Sequence, residues 1–274
     1  MRIKEALPDV FKKLYPLIEP KTQVLPAMSL LRFHEIDALP FPFVASKSAK
    51  TRPRAVYGFS SLARIMALKP GQFGPFLRQP CEVAAERLSS VSASGGLGRL
   101  LDVFAKTRFG FALVEDGRNL AAFAGLPDIL PLYASGTLAT SLTARDVGSP
   151  ILSVPRQASL RQVLTAMFEH RYRRVFLAGS DDFVSDRGII GHIFKPATLN
   201  EMANGTDDIL DISVSEVESM RAHRVASGTP VEEAARMLKE TGPGQCLVFD
   251  RVVVTPWDVV MKPWNSRKLT ISAS

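Results

Sequence analysis

The chain has few cysteines and no long apolar run. Cys81 and Cys246 are the only cysteines among 274 residues and lie far apart, which excludes a disulfide framework and a CxxC metal motif. No apolar stretch approaches the roughly 18 residues that a transmembrane helix needs. Charges and prolines interrupt the N-terminal segment, unlike a secretory signal. We therefore expect a protein of the reducing cytoplasm that has no contact with a membrane.

Patterns of catalysis and metal binding are missing as well. The four histidines show no metal-ligand spacing, and no Ser/His/Asp or Cys/His set stands out. The glycines of SASGGLGRLL, residues 92–101, precede a helix but match neither the Walker A nor the dinucleotide-binding pattern. We expect no enzymatic activity, no metal and no required cofactor.

Basic residues outnumber acidic ones. Lys plus Arg number 34 and Asp plus Glu 27, which gives a formal charge of +7. This balance favours anionic partners such as nucleotides, nucleic acids or acidic proteins. Because the basic residues are interleaved with acids and do not form a run with aromatics, nucleic acid is the weaker choice.

A period of about 65 residues runs through the chain. In each copy a helical apolar pattern is followed by a strand-like run, which begins 15 residues after the first apolar helix position. These two positions are Leu97 and Ala112, Leu160 and Val175, Val231 and Cys246, and in a fainter copy Met28 and Phe43. A second strand and a short helix close each copy, so the period predicts strand–helix–strand–strand–helix units that pair through their sheets.

We place unit one at residues 8–70, unit two at 78–134, unit three at 140–204 and unit four at 210–264, followed by a tail at 265–274. The predicted fold class is α/β with an α+β arrangement. Each unit is too small to bury its own helices.

Units three and four resemble CBS (cystathionine-β-synthase) repeats. The segment DVGSPILSVPRQASLRQVLTAMFEHRYRRVFLAG, residues 146–179, follows the opening pattern of the family. VEEAARML and VVVTPWDVV, residues 231–238 and 252–260, match its helix and its closing strand–Thr/Ser-x-x-Asp–helix signature. Unit two matches more loosely and unit one mostly by position. The resemblance implies four β-α-β-β-α repeats, paired into two Bateman modules that form a disc.

In that family, clefts between paired repeats often bind adenine nucleotides or adenosyl compounds. Four repeats in one chain resemble the γ subunits of AMP-activated kinases and stand-alone archaeal CBS proteins. The resemblance implies a regulatory sensor of AMP, ADP, ATP or S-adenosylmethionine that signals through an unknown regulated protein. A nucleic-acid-binding CBS protein and an interaction scaffold with vestigial pockets are the alternatives. A monomer that completes the disc and a homodimer both remain open.

The closing motif of unit four has two compatible interpretations. Thr255, Pro256 and Asp258 suit the N-cap, N1 and N3 positions of a helix. The same hydroxyl and free N–H groups can receive a phosphate, and the carboxylate can accept hydrogen bonds from a ribose diol. The resemblance likewise implies that Thr255 takes the phosphate and Asp258 the ribose.

The corresponding slots of the other units are less complete. Unit two keeps a carboxylate but has glycine in place of the hydroxyl, so we expect a weaker or altered site there. We expect no nucleotide site of the family's type in unit three, and unit one offers a cation where the ribose acceptor should be. The residue pairs are Gly125 and Asp128 in unit two, Phe194 and Ala197 in unit three, and Ser61 and Arg64 in unit one.

Further contacts are expected around the unit-four cleft. Arg173, Arg174 and Lys195 are candidate phosphate ligands, although basic residues also favour a helix C-terminus without any ligand. Trp257 is a candidate for stacking on a base, although core packing is the commoner role of such a residue. The resemblance implies that the base also contacts Arg224, Val225 and Cys246.

Overall fold

The computed structural model describes residues 1–13, 15–42, 53–69, 71–117, 119–203, 209–242 and 244–272. Its helices are α1 (Ile3–Ala6), α2 (Val24–His34), α3 (Gly58–Met66), α4 (Phe73–Leu77), α5 (Leu97–Thr107), α6 (Leu126–Ile129), α7 (Pro131–Ala134), α8 (Ala144–Val147), α9 (Leu160–His170), α10 (Asp186–Ile193), α11 (Pro196–Ala203), α12 (Val231–Glu240) and α13 (Pro256–Asn265). Short 3-10 turns lie at Pro8–Lys12, Cys81–Ala84, Ile209–Asp211 and Val214–Glu216.

The strands are short and are distributed over all four units. They are β1 (Ala38–Pro40), β2 (Arg54–Tyr57), β3 (Ala85–Arg87), β4 (Ser90–Ser92), β5 (Phe111–Asp116), β6 (Asn119–Gly125), β7 (Leu138–Ala139), β8 (Ser149–Pro150), β9 (Ser153–Val154), β10 (Arg174–Leu177), β11 (Asp182–Ser185), β12 (Met220–Arg221), β13 (His223–Arg224), β14 (Leu247–Phe249), β15 (Val252–Val254) and β16 (Thr270–Ile271).

Every unit has the same layout of a first helix, an antiparallel pair of strands and a closing helix. The first helices are α2, α5, α9 and α12, and the closing helices are α3, α6, α10 and α13. The strand pairs are β1–β2, β5–β6, β10–β11 and β14–β15. The mixed helix-and-strand fold predicted from the period is therefore confirmed.

Helix α9 shows how the sequence builds the first helix of a unit. Its apolar stripe, Leu160, Val163, Leu164 and Met167, is buried. The hydroxyl of Ser159 accepts a hydrogen bond from the N–H of Gln162, which closes a capping box at the start. The helix ends in a left-handed residue, which turns the chain back toward its strand.

The same left-handed turn shows where the first helix of unit one begins and ends. Glu35, Arg108 and Arg171 have φ of 51°, 61° and 56°, and each immediately follows a first helix of 11 residues. In unit one that helix starts at Val24, so our alignment from Met28 is wrong by four residues; Phe43, the strand start it predicted, lies outside the described residues. A shift of four residues keeps the same helix face, so the apolar pattern did not reveal it.

Connecting segments exchange strands between paired units. The segment of unit two that precedes α5 gives β3 to the unit-one strand β2 and β4 to the unit-two strand β5. The same division places β8 against β15 of unit four and β9 against β10 of unit three. It also places β12 against β11 and β13 against β14. Unit one therefore takes a strand from unit two, and units three and four each take one from the other.

Four clusters of buried apolar residues hold the units together. The sheets of units one and two meet at Ala38, Tyr57, Phe111 and Phe123, and those of units three and four at Phe176, Phe183, Cys246 and Val248. The two pairs then join through their helices. One helical core contains residues of units one and three, which we call the one–three core; the other contains units two and four and the N-terminal helix, and we call it the two–four core.

The tail is also part of the fold. Strand β16 pairs antiparallel with β7, in the register Thr270 to Ala139 and Ile271 to Leu138. Leu138 is fully buried in the two–four core. The C-terminal strand therefore lies beside the segment that links unit two to unit three.

We expect Gly148→Ala to lower the free energy of unfolding by about 1–3 kcal/mol, since an added methyl group overpacks a close contact. Its Cβ would lie 2.1 Å from Val252 Cγ1 and 3.0 Å from the carbonyl oxygen of Ala144, where the exchanged strand β8 begins. Urea denaturation measures the loss. Gly228→Ala is the matched control, because nothing lies within 4 Å of its added Cβ. An equal loss in both variants would contradict the prediction.

Candidate functional site

The closing helix of unit four begins with a complete capping box. Thr255 is the N-cap in an extended conformation, and Pro256 opens the helix, where no backbone donor is needed. Asp258 Oδ2 accepts hydrogen bonds from Thr255 N at 2.9 Å and from Thr255 Oγ1 at 2.7 Å. One oxygen of this carboxylate therefore fixes the start of the helix.

The other oxygen of Asp258 is bound by two donors. Ser149 Oγ donates to Oδ1 at 2.8 Å, and the ammonium group of Lys262 lies 3.3 Å from it. Lys262 also donates to the carbonyl oxygen of Gly148 at 2.6 Å and to Ser149 Oγ at 2.9 Å. The Asp258 side chain is only 5% exposed. A ribose diol would have to replace donors that the protein already supplies.

Unit two repeats this division of labour with a different cation. Asp128 Oδ2 accepts a hydrogen bond from Gly125 N at 2.8 Å, which closes the start of α6. Asp128 Oδ1 is paired with the ammonium group of Lys13, from the N-terminal segment. In both units that keep the aspartate, one oxygen therefore holds the helix and a lysine occupies the other.

The junctions of units one and three do not lie where the sequence alignment put them. In unit three α10 starts after Ser185, whose hydroxyl accepts a hydrogen bond from Gly188 N at 3.1 Å. Phe194, which we had placed in the hydroxyl slot, follows the end of this helix, and Ala197 lies in α11. Lys195 lies between α10 and α11, away from the junction, and its role as a phosphate ligand stays a prediction.

In unit one the closing helix starts at Gly58, with Tyr57 at the N-cap, so the slots assigned to Ser61 and Arg64 are wrong. Ser61 lies inside the helix and donates to the carbonyl oxygen of Tyr57 at 2.9 Å. Arg64 pairs with Glu86 at 3.3 Å. The unit-three junction was misplaced because the apolar run GIIGHIF resembles a strand but is mostly helical. The unit-one junction was misplaced by four residues, one helical turn, as its first helix was.

Arg173 belongs to a half-buried ion cluster between units one and three. Its guanidinium group donates to Asp37 at 2.6 Å and to Asp186 at 2.8 Å. Arg187 donates to the same Asp37 oxygen at 2.7 Å. The ring of Tyr57 lies 5.8 Å from the Arg173 Cζ atom, in cation–π geometry. The carboxylates therefore neutralise Arg173. No pattern in the sequence predicts this cluster, because its members come from distant segments.

Arg174, the next residue, has no carboxylate partner among the described residues. Its Nε donates to the carbonyl oxygen of Gly244 at 3.0 Å and its Nη2 to that of Gln245 at 3.4 Å. Burial lowers the pKa of the guanidinium group. The Arg174 side chain of unit three thus binds backbone of unit four. Its two carbonyl partners belong to the residues directly before Cys246.

Cys246 connects Arg174 to the unit-four junction. Burial raises the pKa of its thiol to about 11, against the opposing influence of Arg174 and with a smaller contribution from Asp258. Leu247 pairs with Val254 in the antiparallel β14–β15 register, so Cys246 lies opposite Thr255, the residue that precedes α13. The structure brings together three of the residues predicted for the site, Arg174, Cys246 and Asp258.

The other predicted contacts are more dispersed. Arg224 is exposed and makes two hydrogen bonds to Asp181, at 2.6 and 2.8 Å. It lines a cleft of about 620 Å³ near the β10–β11 and β14–β15 turns, at the opposite end of the strands from Thr255. Val225 and Trp257 are partly buried and pack against the two–four core. Their contacts with a base stay predictions.

Two structural features are absent from the described ranges. No helix in them is long and apolar enough to cross a membrane. Nor do these ranges contain three or more His, Cys, Asp or Glu side chains grouped so that they could hold a metal ion.

No protein-family model matches the chain, and no curated protein matches it. A solved structure from Methanocaldococcus jannaschii, described as a proposed archaeal homologue of g-AMPK, superposes with a TM-score of 0.78 at 14% identity, over 96% of this chain and 99% of its own. A CBS domain protein from Pyrobaculum aerophilum complexed with AMP matches over 47% of this chain and 90% of its own, at 14% identity and a TM-score of 0.36. A CBS-domain containing protein from Agrobacterium tumefaciens matches over 48% and 98%, at 18% identity and a TM-score of 0.38. The first likeness spans nearly the whole chain, which has the fold of tandem CBS-domain pairs.

The ion cluster predicts a characteristic acid sensitivity. Burial alone would raise the pKa of Asp37, but Arg173 and Arg187 more than offset this and hold it well below its usual range. In the unfolded chain an aspartate has a pKa of about 3.9. Because the folded value is lower, this stabilisation is complete above about pH 5 and is lost as the pH falls through 4 toward the folded value.

We expect Asp37→Asn to remove part of this pH dependence and to lower the free energy of unfolding at pH 7 by about 3–5 kcal/mol, since it leaves two arginines without their shared partner. Urea denaturation between pH 7 and pH 3 measures both effects. Asp116→Asn, at an exposed position, is the control. A variant whose stability falls with acid as steeply as the wild type would contradict the assignment.

Proposed function

We propose that this chain is a non-enzymatic regulatory protein that binds an adenine nucleotide or a related adenosyl compound at the unit-four junction and signals through a partner protein. The observation that carries the proposal is Arg174. Among the described residues this half-buried guanidinium group binds only carbonyl oxygens and lacks a counter-ion, and a phosphate supplies one whose oxygens accept hydrogen bonds from the planar guanidinium group.

The surrounding groups suit the rest of such a ligand. Thr255 and the first N–H groups of α13 lie at the N-terminus of a ten-residue helix, and this end of a helix favours negative charge. Asp258 is the ribose acceptor, and the diol takes the place of Ser149 and Lys262 at Oδ1. The displaced ammonium group of Lys262 then remains close enough to favour the phosphate. A ligand without a diol gains nothing at Asp258.

The shared fold adds support of a coarser kind. The Methanocaldococcus protein that matches nearly the whole chain is described as a proposed homologue of g-AMPK, and a regulatory role for this chain agrees with that description. At 14% identity the likeness supports a shared fold but does not identify a ligand. Binding is therefore tested with AMP, ADP, ATP and S-adenosylmethionine.

We expect at least one of these four compounds to bind the wild type in isothermal titration calorimetry, and Asp258→Asn to weaken that binding about tenfold or more. A hydrogen bond to a charged group contributes about 1.5–3 kcal/mol, and about 1.4 kcal/mol corresponds to a factor of ten. The asparagine keeps the shape of the side chain, and a thermal melt confirms that the variant is folded.

The chain supplies a matched control for the capping role. Thr143 and Asp146 form the same box at the start of α8, with hydrogen bonds of 2.8 Å from Thr143 N and Oγ1 to Asp146 Oδ2. Asp146→Asn should weaken a helix cap of the same kind and leave the affinity for the four compounds unchanged. Absence of heat from all four compounds would refute the proposed function. Equal binding by wild type and Asp258→Asn would refute the site.

A further inference from the structure

The N-terminal strap, residues 8–13, lies over the start of the closing helix of unit two. Its first residues form a 3-10 turn at Pro8–Lys12 that packs against β6. Val10 is buried in the two–four core, and beyond the strap the ring of Tyr15 contacts Phe123 of β6, with 5.2 Å between ring centroids. The strap is therefore anchored on both sides of Lys13.

Lys13 is held where a ligand of unit two would bind. Asp128 is the unit-two counterpart of Asp258, and its Oδ2 is used by the backbone of Gly125. Its Oδ1, which corresponds to the oxygen assigned to the ribose in unit four, is paired with the Lys13 ammonium group. Among the described residues, Lys13 is the one side chain whose hydrogen bond or ion pair reaches that oxygen.

The two lysines differ in how firmly they are held. Lys262 is on the same helix as Asp258 and has Gly148 and Ser149 as further partners. Among the residues that the structure describes, Lys13 pairs only with Asp128, and its side chain is 50% exposed. The half-exposed Lys13 returns to water when it leaves, whereas Asp128, 9% exposed, then needs the donors that a ligand supplies. A ligand can therefore displace Lys13 more readily than Lys262.

We propose that the N-terminal strap is an internal competitor for the unit-two cleft, and that a ribose-containing ligand and Lys13 exclude each other at Asp128. The inference rests on the proposed function for the class of ligand. Binding at unit two then displaces Lys13 and loosens the strap between its anchors, whereas binding at unit four displaces a side chain of the same helix. By linkage, the docked strap weakens the ligand as much as the ligand weakens docking.

Calorimetry with AMP, ADP, ATP and S-adenosylmethionine on Lys13→Met and on Lys13→Met/Asp258→Asn tests the proposal. With the unit-four acceptor removed, binding that persists in the double variant and is about five-fold or more tighter than in Asp258→Asn alone supports it, a typical size for coupling between two events. Lys12→Met is the matched control, because it removes the same charge one residue away, from a pair with exposed Asp9. Lys13→Arg keeps the charge and should leave the cleft closed.

Hydrogen–deuterium exchange of the strap is the second measurement. We expect the strap to exchange slowly in the wild type, faster in Lys13→Met, and faster in the wild type with saturating ligand. Exchange unchanged by Lys13→Met would show that the ion pair does not hold the strap and would overturn the proposal.

The outcomes separate the two hypotheses. If the wild type binds through Asp258 but Lys13→Met shows no added or tighter binding, the strap proposal fails and the proposed function stands. If only the Lys13→Met variants bind, the strap proposal stands and the unit-four assignment fails. If no protein binds any of the four compounds, both fail.

Discussion

The start of a closing helix is buried against other parts of the chain, so a carboxylate at that position needs a cation. The fold meets this requirement three times with three different cations. Asp258 is paired with Lys262 of its own helix, Asp128 with Lys13 of the N-terminal strap, and Asp186 with Arg173, which directly precedes β10. Leaving such a charge unpaired would cost more than most single contacts contribute. At these three helix starts the neutralising cation therefore ties the helix to itself, to the N-terminal strap or to a neighbouring segment.

The same requirement separates a cap from a binding site. Thr143–Asp146 and Thr255–Asp258 have the same motif and nearly the same hydrogen bonds at Oδ2. Asp146 is exposed, so water serves its other oxygen; Asp258 is buried, so the protein must serve it. Capping uses one oxygen of the carboxylate. The second oxygen can select a ligand only where it is buried, because there a ligand must replace the protein donor that already binds it.

The sequence predicted most of the fold and part of the site. The apolar stripes of α5, α9 and α12 gave the period, because each stripe is buried and uninterrupted. Unit one was misplaced by four residues because a helix face repeats at that interval. The left-handed residues that mark its true register are Glu, Arg and Arg, not the glycine that usually signals such a turn. Asp258 and Lys262, four residues apart on a helix, were within reach of sequence reasoning. Lys13, Asp37 and Ser149 were not, because strand exchange and the strap bring them from distant segments.

If the chain binds a ligand as we propose, the placement of the cations also decides which junction transmits a signal. A ligand changes the state of a protein only through a difference in affinity between two arrangements. At unit four the competing lysine is tethered to the helix that carries the aspartate, so its displacement leaves the backbone in place. At unit two the competing lysine belongs to a separate segment that is anchored by Val10 and Tyr15 at its ends. In our proposal, displacement there loosens the strap between these anchors, which is a change that a partner protein can recognise.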